Sequence, residues 1–316
     1  MSKEDSPIGG PLALIAGPTA SGKSDVAVQL ALALKDRGRE AVVLNADSQQ
    51  VYADLRIVSA RPCPEDMSGI EHRLFGTWDG GVACSTADWA DAAKREIGQL
   101  HAKGAVPILC GGTGLYMRTL LEGIAPIPDI DTNVRSAVRK LATRELRTCL
   151  VEEDPVAAER LNANDSQRMA RALEVVRSTG TPLHVWQRRT LVGGIGDLVD
   201  LHPLILLPER DWLFERCDRR FELMMQHGGV EEVAQLLERN LDPALPVMRA
   251  IGVPEIAAFV QGVDAVEDAI AAGQQATRNY AKRQYTWFRN QPPADWARVD
   301  EANFNLEDVF EGLFQN

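Results

Sequence analysis

Eight consecutive residues, Gly17-Pro18-Thr19-Ala20-Ser21-Gly22-Lys23-Ser24, carry the spacing G-x-x-x-x-G-K-[ST] of a phosphate-binding loop. The chemistry this pattern supports is anion binding. Its glycines let backbone approach phosphate oxygens, and N–H groups at a helix start point at the anion. The Lys23 ammonium adds charge, and the Ser24 hydroxyl can reach a magnesium ion. Asn45-Ala46-Asp47-Ser48-Gln49-Gln50 places an acid, Asp47, just beyond another apolar run. Asp47 reads as the metal-binding acid of a kinase-like enzyme, as a catalytic base, or as a turn-forming or helix-capping aspartate. Gly111-Gly112-Thr113-Gly114 ends a third run. It offers close backbone approach and the Thr113 hydroxyl to a ligand, or is simply a tight turn. No second metal-binding aspartate follows residues 106–110, where ordinary P-loop NTPases carry one.

These clusters need a rigid support. Leu12–Ala16, Ala41–Leu44, Val106–Cys110 and Leu204–Leu207 are short apolar runs that read as buried strands. Amphipathic patterns from Lys23 to about Lys35 and from Thr86 to about His101 read as helices, the second capped by Ser85 or Thr86 and ended by Gly104. Apolar strands alternating with helices predict an α/β fold: a P-loop NTPase-like parallel sheet flanked by helices. Proline and glycine breaks at 124–128 and 193–196 set off a mostly helical insertion, with helices expected over 132–149, 154–161 and 165–178. The expected organisation is a core of 1–124 and 196–316, with C-terminal helices from 211 to about 290, and an insertion of 125–195.

With 316 residues the chain has a prior of about two domains. The 34 Lys+Arg and 45 Asp+Glu give −11, which excludes a uniformly basic nucleic-acid coat but not a local basic patch. Five cysteines form no Cys-x-x-Cys pair, so no zinc ribbon or disulfide framework is expected. Apolar runs fall far short of the roughly 18 residues a membrane span needs. Residues 1–10 read as a loose polar tail without a signal-peptide core. A cytoplasmic monomer is expected.

Six ordered segments together resemble the bacterial tRNA dimethylallyltransferase (tRNA isopentenyltransferase) family. They are the phosphate loop, Asp47–Tyr52, Gly111–Tyr116, Asp165–Val175, Arg249–Gly252 and Ala276–Trp287. The resemblance implies transfer of a dimethylallyl group from dimethylallyl diphosphate to N6 of the adenosine 3′ of the tRNA anticodon, with Mg2+ and release of diphosphate. It implies that Gly17, Thr19, Ala20, Ser21, Gly22, Lys23 and Ser24 grip a diphosphate, with Ser24 reaching the magnesium it carries. Asp47 would take the amine proton, Thr113 would stand near the reacting centre, and Arg216 would help bind diphosphate. Arg220 lies four residues on, on the same face. For the tRNA anticodon stem-loop the resemblance points to Asp47, Ser48, Gln49 and Gln50, to Gln167, Arg168, Met169, Ala170 and Arg171, and to Arg249 and Gly252. No Cys follows Cys217, so the chain looks like the shorter form without the zinc finger of eukaryotic members. Val253-Pro254 departs from the family pattern, and some RNA contact there would be lost or replaced.

Two stretches supply basic charge. Residues 166–190 hold five arginines, including Arg168, Arg171, Arg177, Arg188 and Arg189, against Glu174 alone; 275–291 hold Arg278, Lys282, Arg283 and Arg289 with no acid. They could meet RNA phosphates or be solvated helix faces. Tyr52 and Tyr116 could stack on bases, though core positions suit them as well. Against the leading reading stand an isopentenyltransferase for free adenine nucleotides, a P-loop kinase, and a non-catalytic nucleotide-binding module.

Overall fold

The computed structural model describes residues 8–300 and 304–315. The first seven residues of the expected tail lie outside them. In chain order the first elements are β1 (Pro11–Ala16), α1 (Lys23–Asp36), β2 (Ala41–Asn45), α2 (Pro64–Met67), β3 (His72–Arg73), α3 (Thr86–Ala102), β4 (Val106–Gly111) and α4 (Gly114–Glu122). Next come β5 (Gly123–Ile124), α5 (Thr132–Arg139), α6 (Thr143–Glu153), α7 (Pro155–Arg160), α8 (Ser166–Thr179), α9 (Leu183–Trp186) and β6 (Val192–Gly193). The chain continues with β7 (Asp200–Leu206), α10 (Arg210–Gln226), α11 (Gly229–Glu238), α12 (Val253–Val260) and α13 (Val266–Asn290). It closes with β8 (Ala297–Val299), α14 (Leu306–Val309) and α15 (Glu311–Phe314).

The structure forms two compact units, one from 122–194 and one from the residues on either side. The larger unit is built on a six-stranded sheet ordered β3-β2-β4-β1-β7-β8, with every pairing parallel. Its runs are apolar on both faces because both faces are covered. Leu12 and Leu14 of β1 join the layer with Trp89, Phe221 and Phe288, while Ala13 and Ile15 join the layer with Leu30 and Leu34 of α1. Since all strands are parallel, the turns after β1, β2 and β4 emerge at one edge, on three adjacent strands. Open α/β sheets bind ligands at that edge.

The elements depart from the sequence expectation in several places. The helix expected over 132–149 is two, α5 and α6. The Glu145 carboxylate accepts from the Ala142 N–H at 2.7 Å and starts a new helix there. Strands β3 and β8 were not expected, because His72-Arg73 and Ala297-Arg298-Val299 carry no apolar run. Among the described residues no helix is long and apolar enough to cross a membrane.

In the smaller unit, β5 pairs antiparallel with β6, Gly123 opposite Gly193. Gly123 has φ 93°, and a Cβ there would stand 2.4 Å from the Val192 carbonyl oxygen, so the ribbon requires glycine. Its helices enclose a core of Val138, Leu146, Leu150, Ala158, Met169, Ala172 and Leu173.

Candidate active site

The phosphate loop follows β1 directly. Ser21 N–H donates to the Pro18 carbonyl at 3.3 Å, and Gly22 (φ 88°) turns the chain into α1. Ala20 also takes a left-handed φ of 64°, at a cost of about 1 kcal/mol for a residue with a Cβ. Gly17 is required by packing: a Cβ there would sit 2.7 Å from the Leu206 carbonyl of β7. The Ser21 Oγ is buried without a hydrogen-bond partner among the described residues. Lys23 Nζ rests on the Pro18 carbonyl at 3.3 Å. Burial lowers the Lys23 pKa, with the nearby Asp47 charge pulling the other way.

Asp47 is buried, 7 % exposed, at the end of β2. Its N–H donates to Asn45 Oδ1 at 2.8 Å, and its Oδ1 accepts from Gln49 N–H at 3.0 Å. The turn-forming role read in the sequence is therefore real, and the carboxylate lines a cleft as well. Thr113 Oγ1 accepts from Ser48 N–H at 2.9 Å and donates to Ser48 Oγ at 3.1 Å. Thr113 N–H donates to the Ala46 carbonyl at 3.1 Å. Thr113 thus holds the Asp47 loop in place. Beneath, the Trp89 indole N–H donates to the Asn45 carbonyl at 2.9 Å and the ring stacks on Tyr116, 4.4 Å between centroids. Tyr52 and Tyr116 are both buried in this core.

The cleft measures about 450 Å³ and is lined by Thr19, Gly22, Lys23, Ser24, Asp47, Gln49 and Gln50 from the turns after β1 and β2. Helix α10 adds Arg216, Arg219, Arg220, Phe221 and Met224, and α13 adds Thr277 and Tyr280. Beside the cationic groups, Val58, Phe221, Met224 and Ile251 add apolar surface to the lining. Arg216 is exposed, its guanidinium 4.6 Å from the Trp212 ring centroid. Arg220 reaches further in. It donates to Thr19 Oγ1 of the phosphate loop, and its Nε is enclosed without a partner among the described residues. Burial lowers its pKa while Asp47 opposes that shift. The sequence reading put Arg216 first; the structure places Arg220 on the loop. Spacing alone could not separate two arginines on one helical face. Tyr280 was also missed. Burial raises its pKa, and the Asp47 charge raises it further. Its signal was the 3–4 spacing of Gly273, Thr277, Tyr280 and Gln284 along one face of α13.

The residues assigned to RNA contact divide. Ser48 and Gln49 are half-buried and Gln49 lines the cleft, while the Gln50 amide nitrogen donates to the Ser59 and Ala60 carbonyls at 3.1 and 2.8 Å. Gln167 and Arg168 are exposed at the start of α8 and Ala170 is half-buried. Arg171 stands 3.8 Å from the buried Glu174. Two assignments need correction. Met169 is fully buried in the helical core, because its position on α8 faces inward. Gly252 is buried too; its φ of 97° and its closeness to Val58 and Phe221 make it a packing glycine. Arg249 is exposed and its Nε donates to the Pro243 carbonyl at 3.2 Å. Pro254 falls in the first turn of α12, where its missing N–H leaves no hydrogen bond unmade.

A phosphate-loop motif after β1, an acid after β2, a glycine turn after β4 and arginines from α10 define a class of α/β protein with a parallel sheet and a cationic cleft beside a buried carboxylate. Comparison with known proteins narrows this class. The family model for IPP transferase matches residues 50–291. A tRNA dimethylallyltransferase of Erythrobacter litoralis is 65% identical over 305 residues, 96% of each chain. One from Zymomonas mobilis is 48% identical over 98% of each. Among solved structures, a tRNA isopentenylpyrophosphate transferase of Bacillus halodurans matches with TM-score 0.67 and 31% identity, over 96% of this chain and 94% of that one. A eukaryotic dimethylallyltransferase acting on tRNA matches with TM-score 0.72 and 27% identity, over 88% and 69%. The chain belongs to the IPP transferase family.

Proposed function

We infer that this protein transfers a dimethylallyl group from dimethylallyl diphosphate to N6 of the adenosine 3′ of the anticodon in tRNA. The observation that carries the reading is the buried Asp47 carboxylate sharing one cleft with Lys23, Arg220 and the phosphate loop. An exocyclic adenine amine is a weak nucleophile, because its lone pair is delocalised into the ring. As that lone pair bonds to C1 of the donor, the C1–O bond breaks and its electrons leave on diphosphate. The amine proton passes to Asp47. Charge growing on the leaving oxygen meets Lys23, Arg220 and the loop N–H groups, which are already in place. The apolar lining residues Val58, Phe221, Met224 and Ile251 suit the hydrocarbon half of the donor.

Magnesium suits this set of residues. The exposed Ser24 hydroxyl opens α1, and among the described residues no group of three or more His, Cys, Asp or Glu could hold a metal unaided. A hard cation would therefore draw most of its oxygens from the diphosphate, with Ser24 as a protein ligand. When bound, it neutralises charge on the leaving group. The protein would act in the cytoplasm as a monomer.

The test is label transfer from radioactive dimethylallyl diphosphate, with unmodified tRNA and with AMP as acceptors. Label in tRNA alone, on the adenosine beside the anticodon and lost on chelation of magnesium, supports the reading. Label in AMP alone would replace it with mononucleotide prenylation. ATP consumption without label in either would restore a kinase.

A further inference from the structure

The side chain of Gln284, on α13, is buried, 5 % exposed, and spans from the phosphate loop to the turn after β4. Its Oε1 accepts from the Thr19 N–H of the phosphate loop at 2.8 Å. Its Nε2 donates to the Gly112 carbonyl at the end of β4, also at 2.8 Å. Only this orientation of the amide satisfies both groups; the flipped one would oppose donor to donor and acceptor to acceptor. The fit is tight, since a Cβ on Gly112 would stand 2.3 Å from Nε2.

Each contact continues to a group at the reacting centre. On one side, Thr19 Oγ1 receives Arg220. On the other, Gly112 precedes Thr113, whose N–H and Oγ1 hold Ala46 and Ser48 on either side of Asp47. Gln284 is thus the covalently single piece that joins the diphosphate side of the cleft to the proton-accepting side. We propose that Gln284 is a positioning residue that sets the distance between the Arg220–phosphate-loop grip on the donor and the Asp47 loop that faces the acceptor amine. The inference rests on the transfer reading above. Reacting groups displaced by about 1 Å cost on the order of 100-fold in rate, so a single buried amide at this junction can govern turnover.

Gln284→Glu separates positioning from mere packing. The replacement keeps the shape. Ionised, it still accepts from Thr19 but sets a carboxylate against the Gly112 carbonyl. Protonated, it accepts and donates as the amide does. Burial beside a carbonyl raises a carboxyl pKa, so the protonated form returns as pH falls. Asp47, Lys23, Arg220 and Tyr280 line the same cleft, so each rate is divided by that of the unaltered protein at the same pH.

At pH 8 the expected kcat of Gln284→Glu is about 10- to 100-fold below normal, with tRNA affinity unchanged. The ratio rises toward 1 between pH 8 and pH 6. Gln284→Met, which can do neither job, stays low throughout. Inorganic diphosphate binding, read by calorimetry without tRNA, weakens about fivefold in Gln284→Met through Thr19 and Arg220. Turnover of Gln284→Glu within twofold of normal at pH 8, or a ratio flat with pH, overturns the proposal. If the unaltered protein transferred no label, the transfer reading would fall. The diphosphate arm would then decide alone: unchanged affinity in Gln284→Met overturns the link to the loop, and weakened affinity sustains it.

Discussion

The two units of this molecule handle charge in opposite ways. Residues 122–194 hold eleven Lys and Arg against ten Asp and Glu, a formal +1; the rest of the chain holds 23 against 35, a formal −12. Yet the larger, acidic unit carries the cationic cleft. There, a few charged groups are enclosed and cross-linked: Arg220 to Thr19, Asp47 to Gln49, Lys23 to Pro18. In the helical unit most charges are exposed, and many are spent on neighbours. Arg177 pairs with Glu153 at 2.8 and 2.6 Å, Arg139 bonds Glu174 at 3.0 Å, and Arg189 lies over the Trp186 ring. Net charge therefore describes neither function. What matters is whether a charge is fixed against a reacting atom or free to meet a phosphate in solvent.

The largest expected effect lies in the cleft. Asp47→Asn should lower kcat by about 10²- to 10⁴-fold while leaving the melting temperature nearly unchanged, because Asn can still accept from Gln49. Near-normal turnover would remove the main contrast between the units. Next, Arg220→Ala should weaken diphosphate binding by about 10- to 100-fold, and Arg216→Ala by only a few-fold, since Arg216 is exposed at the cleft and rests over Trp212 while Arg220 bonds the loop. Calorimetry with diphosphate compares the two, and the reverse order would restore Arg216. Lys23 sharpens the point through pH. Its pKa is lowered by burial, so it loses its charge, and the protein loses donor affinity, as pH rises through a value below that of an ordinary lysine. Donor affinity measured up the pH scale should fall early, and Lys23→Arg should push the fall to higher pH. The smallest effects belong to the helical unit. Arg168→Ala should reduce the salt slope of tRNA binding by about 1, because Arg168 is largely exposed even beside Asp165, whereas Arg177→Ala, less exposed and bonded twice to Glu153, should leave it unchanged. Equal slopes would mean that exposure does not select the RNA contacts.

The charge runs show where reading along the chain stops. Residues 275–291 carry no acid in sequence, yet Arg278 pairs with Asp218 of α10 at 2.5 Å. Residues 166–190 show one acid, but Glu153, from α6, takes Arg177. Partners distant in sequence cannot be seen in a local count. Met169 and Gly252 are buried by neighbours that a motif does not name: Met169 faces the helical core, and Gly252, just before α12, lies against Val58 and Phe221.

The sequence by itself determined the phosphate loop, the acid after the second strand, the glycine turn after the fourth and the parallel sheet that holds them. These follow from local rules: apolar runs of strand length, helix periodicity, and glycine where the backbone must turn. The tertiary structure alone decided that Arg220 and not Arg216 meets the loop, that Tyr280 stands in the cleft, and that Gln284 joins two turns 172 and 265 residues away. Those facts depend on how α10 and α13 pack against each other, where Gly273 admits the Phe221 ring. Close packing between distant segments is a property of the assembled volume, and no single stretch of sequence records it.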